Sequence, residues 1–144
     1  MALRRFRLAT LLLASGLAAC AGQRDLFESN PAPPNYKPDI LAFLRTYLND
    51  PTNVRDAALS EPSERRVLGM QRYVVCVRFN ARKSDGKYAG LLDTAAVFRV
   101  GRLDRFIDLT PDETASDAAL RDELRGVCKT ATYEPFPELE RLTR

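Results

Sequence analysis

The stretch Gln71-Arg-Tyr-Val-Val-Cys-Val-Arg-Phe-Asn-Ala81 constrains this chain more than any other. It runs without glycine or proline and is rich in β-branched and aromatic residues, the composition of a strand. Val74–Val77 is unbroken apolar sequence, which suits a central strand buried on both faces. Alternation then puts Val74, Cys76, Arg78 and Asn80 on one face. Tyr73, Val75, Val77 and Phe79 make the opposite, more apolar face. The run Ala95–Phe98 has the same character. A sheet built on such strands needs cover on two sides.

The remaining elements follow from local signals. Lys37-Pro38 opens a helix with proline in its first turn. Ile40, Leu41, Phe43, Leu44, Tyr47 and Leu48 form its apolar stripe, and Asn49-Asp50-Pro51 ends it. Val54–Ser60 is a weaker strand candidate. Lys83-Ser84-Asp85-Gly86-Lys87 is turn chemistry. Asp93–Val100 reads as a strand, Gly101-Arg102 as a tight turn, and Leu103–Leu109 as a last strand with Leu103, Arg105, Ile107 and Leu109 on one face. Thr110-Pro111-Asp112-Glu113 has the form of a capping box, opening a helix that continues, after a break near Ser116, through Leu120, Leu124, Val127 and Cys128. Tyr133–Leu139, interrupted by Pro135 and Pro137, is expected to be extended. Its Phe136 and Leu139 either dock on the domain, the favoured reading, or form an exposed strip for a partner. The short connections imply antiparallel neighbours. The expected fold is α+β: an antiparallel meander of about three to four strands with an N-terminal and a C-terminal helix. The second helix covers the Cys76 face; the first helix, or a curl of the sheet, covers the other.

The N-terminus is an address rather than part of this fold. Arg4, Arg5 and Arg7 precede the apolar stretch Leu8–Leu17, which is followed by small residues. That is the layout of a secretory signal peptide, and the apolar run is too short to span a membrane. Leu17-Ala18-Ala19-Cys20 resembles the lipobox of bacterial lipoproteins. The resemblance implies cleavage before Cys20, a diacylglycerol on its thiol and acylation of the new amino terminus, and the attached chains would hold the protein in a membrane. Ordinary cleavage at Ala19-Cys20-Ala21 is the competing reading. By analogy with Gram-negative sorting, Ala21 after the cysteine points to the outer membrane. The expected organisation is a signal peptide over 1–19, a proline-rich flexible tether over 20–35 and one domain over 36–144.

With Cys20 lipidated, Cys76 and Cys128 remain as an even pair in an exported chain, where a disulfide is the default. Closing a loop of about 52 residues would contribute roughly 4 kcal/mol. A redox-active role lacks a Cys-x-x-Cys spacing and a histidine to lower a thiol pKa.

Composition removes several functions. There is no histidine, which excludes His-based triads and His–metal sites. The chain has 22 basic and 19 acidic residues; without Arg4, Arg5 and Arg7 the balance is 19 against 19. A neutral mature chain lacks the basic footprint of a nucleic-acid binder. Asp104, Asp108, Asp112, Glu113 and Asp117 lack the pattern of a calcium loop and read as helix-start acids. Ser60 and Ser84 have no nucleophile-elbow context. No enzyme, metal or cofactor is expected. Arg82, Lys83, Lys87 and Tyr88, around the hairpin, are the candidate binding residues, suited to phosphates or to an anionic polymer such as peptidoglycan.

Two further resemblances bear on function. Cys76-Val-Arg-Phe-Asn-Ala-Arg82, Gly86-x-Tyr88-x-Gly90, Val97-Phe98 and Pro135-Phe-Pro-Glu-Leu-Glu140 resemble a group of small, uncharacterised lipoproteins of alphaproteobacteria. Leu48-Asn49-Asp50-Pro51 fits the same pattern, and the likeness covers roughly positions 45–140. It implies a secreted, lipid-anchored domain and brings no activity. Ser84-Asp85-Gly86-Lys87-Tyr88 resembles the Ser-Gly-x-x-Tyr loop of periplasmic lysozyme inhibitors, apart from an inserted Asp85; that family is all-β. The expectation is a non-enzymatic envelope lipoprotein contacting another envelope component, with a periplasmic inhibitor-like binding module, or an enzyme of unknown type, as the alternatives.

Overall fold

The computed structural model describes residues 30–143, so the signal peptide, Cys20 and most of the tether lie outside the described residues. The elements are α1 (Tyr36–Tyr47), β1 (Asp50–Leu59), β2 (Ser63–Val67), β3 (Met70–Arg82), β4 (Leu92–Arg99), β5 (Arg102–Asp108), α2 (Ala118–Lys129), β6 (Glu134–Pro135) and α3 (Pro137–Glu140). The class is α+β with an antiparallel sheet.

β3 is the spine. One edge pairs with β4, from Tyr73 opposite Phe98 to Phe79 opposite Leu92. The other edge is shared by β1 along its C-terminal half and β2 along its N-terminal half. β1 and β2 are thus two pieces of one edge, split at Ser60-Glu61-Pro62. Ser60 bridges the split: its N–H donates to the Cys76 carbonyl at 2.9 Å and its hydroxyl accepts from the Cys76 N–H at 2.9 Å. β4 continues into β5, and β6 adds to the free side of β1. Six strands and three helices replace the simpler meander with two helices. β2, Ser-Glu-Arg-Arg-Val, escapes a sequence reading because only Val67 in it is buried.

β1 explains its own weak strand signal. Its buried residues are Pro51, Val54, Ala57 and Leu59, which do not alternate. Asn53 (φ 60°) and Asp56 (φ 53°) take left-handed backbone, and the register against β3 shifts around each. Each bulge frees main-chain groups, and side chains from elsewhere satisfy them. The Asn53 carbonyl accepts from the Tyr88 hydroxyl at 2.8 Å, and the Ala57 N–H donates to Glu140 Oε1 at 2.9 Å.

The sheet is covered on both faces, as the uninterrupted apolar runs require. On one side Val75, Val77, Phe79, Ala96 and Phe98 pack with Ile40 and Leu44 of α1 and with Phe136, Leu139 and Leu142. On the other, Val74, Cys76, Ala95, Val97 and Ile107 pack with Leu120, Leu124 and Cys128 of α2. Cys76 and Cys128 form a disulfide with Cα atoms 5.5 Å apart, tying β3 to α2. β5 does not alternate as expected. A register shift opposite Val97/Phe98 sends Leu103 and Phe106 to the α1 side and Ile107 and Leu109 to the α2 side.

Three boundaries differ from the sequence reading. The described part of the tether is packed: Asn30 Oδ1 accepts from the Val100 N–H at 2.8 Å, Pro33 is buried, and Pro31 and Pro34 lie against Gly101. A Cβ on Gly101 would make only ordinary contact with Pro31, at 3.7 Å, so it is the left-handed backbone (φ 74°) that favours glycine there. The capping-box sequence does not start α2. Asp112 instead accepts from the N–H and hydroxyl of Thr114 (3.0 and 2.7 Å), a local turn that holds its carboxyl below the usual range. The helix begins at Ala118, pinned by Arg121 to Asp117 and to the Asp108 carbonyl. The tail is extended only over β6; Pro137 then serves as the first residue of the one-turn α3. Phe136 and Leu139 are fully buried, so the tail docks.

Cys76→Ala and Cys128→Ala should each lower unfolding free energy by about 2–4 kcal/mol, and the double variant by little more than either alone, measured by urea denaturation. Additive losses would show that the bond is not their shared contribution. Phe136→Ala should cost about 3–5 kcal/mol in the same assay, and an unchanged midpoint would contradict docking of the tail.

Candidate functional site

Arg82, Lys83, Lys87 and Tyr88 lie where β3 ends and the chain turns toward β4. Tyr88 bridges back to Arg82, the Lys83 N–H donates to the Lys87 carbonyl at 2.9 Å, and the Gly86 N–H donates to the Lys83 carbonyl at 2.9 Å. Asp85 accepts from the Lys87 N–H at 2.9 Å, and Asn80 Oδ1 accepts from the Gly90 N–H at 3.1 Å. The loop is therefore short, braced and fixed at both ends.

The four residues have different fates. Lys83 and Lys87 are exposed, whereas Arg82 and Tyr88 are half-buried. Two guanidinium groups lie over the Tyr88 ring, Arg55 at 4.4 Å and Arg82 at 5.2 Å from its centroid. Its hydroxyl is committed to the Asn53 carbonyl of the first β1 bulge. Arg82 Nε is buried without a hydrogen-bond partner among the described residues, so ring stacking is the contact that holds this guanidinium. An inhibitor-type loop would aim the tyrosine outward; here it braces β1 against β3. What remains for a ligand is the ammonium pair Lys83 and Lys87. A cleft of about 320 Å³ beside them is lined by Tyr47, Asn49, Arg82, Lys83, Gly90 and Leu92.

The other side chains with possible chemistry are tied to local structure. Ser60 is buried, and its hydroxyl accepts from Cys76 and donates to the Glu61 carbonyl at 3.1 Å. Asp108 accepts from the Thr110 N–H at 2.8 Å, and Asp117 pairs with Arg121 at 2.7 Å. A second cleft, about 370 Å³, opens over the disulfide. There Arg78 pairs with Asp93 at 2.6 Å and lies over the Tyr133 ring at 4.4 Å. Burial pushes the Tyr133 phenol up, so it stays neutral. Among the described residues no group of three metal-ligating side chains comes together.

Sequence reasoning missed Arg55 and Asn53, the partners of Tyr88. The signal was present as Asn53 and Asp56, residue types that tolerate left-handed backbone, three apart inside a strand.

Tyr88→Phe should cost about 1 kcal/mol of stability by leaving the Asn53 carbonyl without its donor. Arg55→Ala should cost about 0.5–1 kcal/mol through the lost ring contact, read from urea midpoints. No loss in either variant would remove Tyr88 as a brace. Compared with family models, with curated proteins and with solved structures, the chain matches none of them.

Proposed function

We propose that this chain is a lipid-anchored protein of a bacterial envelope, exported by residues 1–19 and held by an acylated Cys20. On this reading the domain is non-enzymatic and contacts another envelope component, a protein or peptidoglycan, from the periplasmic face of the outer membrane. The observation that carries the reading is the Cys76–Cys128 disulfide. Structural disulfides persist in oxidising compartments, which agrees with an export signal. The bond also uses two of the three cysteines, leaving Cys20, at the end of Leu-Ala-Ala-Cys, for lipid. Further support comes from Ser60, Asp108 and Asp112, each of which has a side-chain oxygen engaged in local bonds.

Cys20→Ala should release the protein from the membrane fraction or leave it unprocessed, and should abolish incorporation of labelled palmitate. Unchanged fractionation and labelling would overturn the proposal.

A further inference from the structure

One end of the sheet carries a surface that the neutral net charge conceals. Arg65 lies directly opposite Arg72, and Arg99 opposite Arg102. Tyr73 opposite Phe98 sets Arg72 beside Arg99, so the four form a row across β2, β3, β4 and β5. Arg105, opposite Val97, lies on the same face. Like charges directly opposite one another destabilise a sheet, so such a row has a cost within the fold. Arg99 has an interaction of its own. Arg65, Arg72, Arg102 and Arg105 form no ion pair with a described carboxylate. Arg65 donates to the Glu64 carbonyl at 2.9 Å and Arg72 to the Gln71 carbonyl at 2.8 Å. Two acids stand at the same surface: Asp104 lines it, and Glu123 Oε2 accepts from the Leu68 N–H at 2.9 Å, against the larger number of arginines.

Apolar side chains stand among these cations. Leu68 is 53%, Met70 52% and Val100 42% exposed. Leu68 (φ 46°) and Gly69 (φ 80°) make the β2–β3 turn, and Val100 (φ 50°) and Gly101 (φ 74°) make the β4–β5 turn. The first position of such turns favours Asn, Asp or Gly, and a β-branched residue at positive φ is strained. Both hairpin tips thus hold an exposed apolar residue where the backbone disfavours one.

The chain enters the described structure at this same end. Asn30 donates to the Gln71 carbonyl at 3.4 Å and accepts from the Val100 N–H. It stands ten positions after Cys20, and ten such steps set the reach of the chain between them. Fully extended they reach about 35 Å. Given the anchored reading above, on which this inference rests, a lipid on Cys20 keeps this end of the domain near the bilayer.

We propose that the β2–β3 and β4–β5 hairpin end is a membrane-docking surface: Arg65, Arg72, Arg102 and Arg105 bind anionic headgroup phosphates while Leu68, Met70 and Val100 enter the interface. It supplies a second, electrostatic attachment beside the lipid and orients the domain, leaving the Lys83 and Lys87 hairpin at the far end of the sheet pointing away from the bilayer. Apolar contact combined with attraction to anionic lipid is the usual basis of such interfacial binding.

The chain has no tryptophan, so single reporters are free of background. Met70→Trp, and Leu91→Trp at the opposite end as control, are placed separately in the full processed protein. Each is reconstituted in phosphatidylcholine vesicles with or without phosphatidylglycerol, and quenching by brominated lipid is read. Met70→Trp should be quenched several-fold more than Leu91→Trp, in anionic vesicles only. The difference should fall toward zero with added Arg72→Glu and Arg105→Glu, and when salt is raised from about 0.1 to about 1 M. Arg72→Gln with Arg105→Gln, a milder pair, should give a partial loss at a melting temperature no lower than that of the parent, since a like-charge pair across the sheet is relieved. Equal quenching of the two reporters, or quenching indifferent to phosphatidylglycerol, overturns docking even when the protein floats with the vesicles. Failure to float contradicts the anchor instead, and Met70→Trp quenching at higher lipid concentration then still decides docking.

Discussion

Everything in this fold is arranged around a strand that has no surface of its own. From Val74 to Val77 the side chains of β3 are fully buried on both faces, and both backbone edges are paired. A four-residue apolar run in that position imposes two covers, and α1 with the tail on one side and α2 on the other supply them. Cys76 is where these demands meet. Its backbone N–H and carbonyl are both bonded to Ser60, which carries the ladder across the break between β1 and β2. Its sulfur is bonded to Cys128 of α2, which keeps that helix over its face. α2 otherwise holds to the sheet through one apolar stripe and a few hydrogen bonds, among them Arg121 to the Asp108 carbonyl and the Leu68 N–H to Glu123, and the disulfide adds a covalent tie to that cover.

The irregular edge strand is the second organising feature. The left-handed residues Asn53 and Asp56 each break the ladder of β1 and leave main-chain groups in need of partners. Tyr88 answers one from the β3–β4 connection and Glu140 the other from α3. Two segments outside the long strands, a turn and a proline-rich tail, thereby become parts of the sheet's support. The same arrangement turns Tyr88 inward, with Arg55 and Arg82 over its ring, and leaves Lys83 and Lys87 as exposed cations of that hairpin.

Period-two chemistry made β3, its two faces and the partner of Cys76 legible in the sequence. Helical spacing of Leu120, Leu124 and Cys128 did the same for α2. What escaped was whatever breaks period or depends on register. The buried residues of β1 follow its bulges rather than alternation, and a shift in β5 splits Leu103 from Ile107. The acids around Asp112 prefer short turns closed by Thr114 over the start of a helix. Arginines 65, 72, 99, 102 and 105 are scattered along the chain, and cross-strand pairing alone gathers them. A balanced count of charges says nothing about such segregation. Neutral proteins can carry a strongly one-signed end.

On the proposed reading, anchor and domain belong to one physical account, in which the oxidised pair stabilises an exported fold and Cys20 holds it at a membrane. The mass of the N-terminal peptide from mature protein isolated from envelopes tests this most directly. The account predicts a chain that begins at Cys20, with a diacylglyceryl group on its sulfur, and a Cys76–Cys128 linked fragment in the same digest. A mature chain that begins after Cys20, or one that retains residues 1–19 with an unmodified thiol, would contradict it.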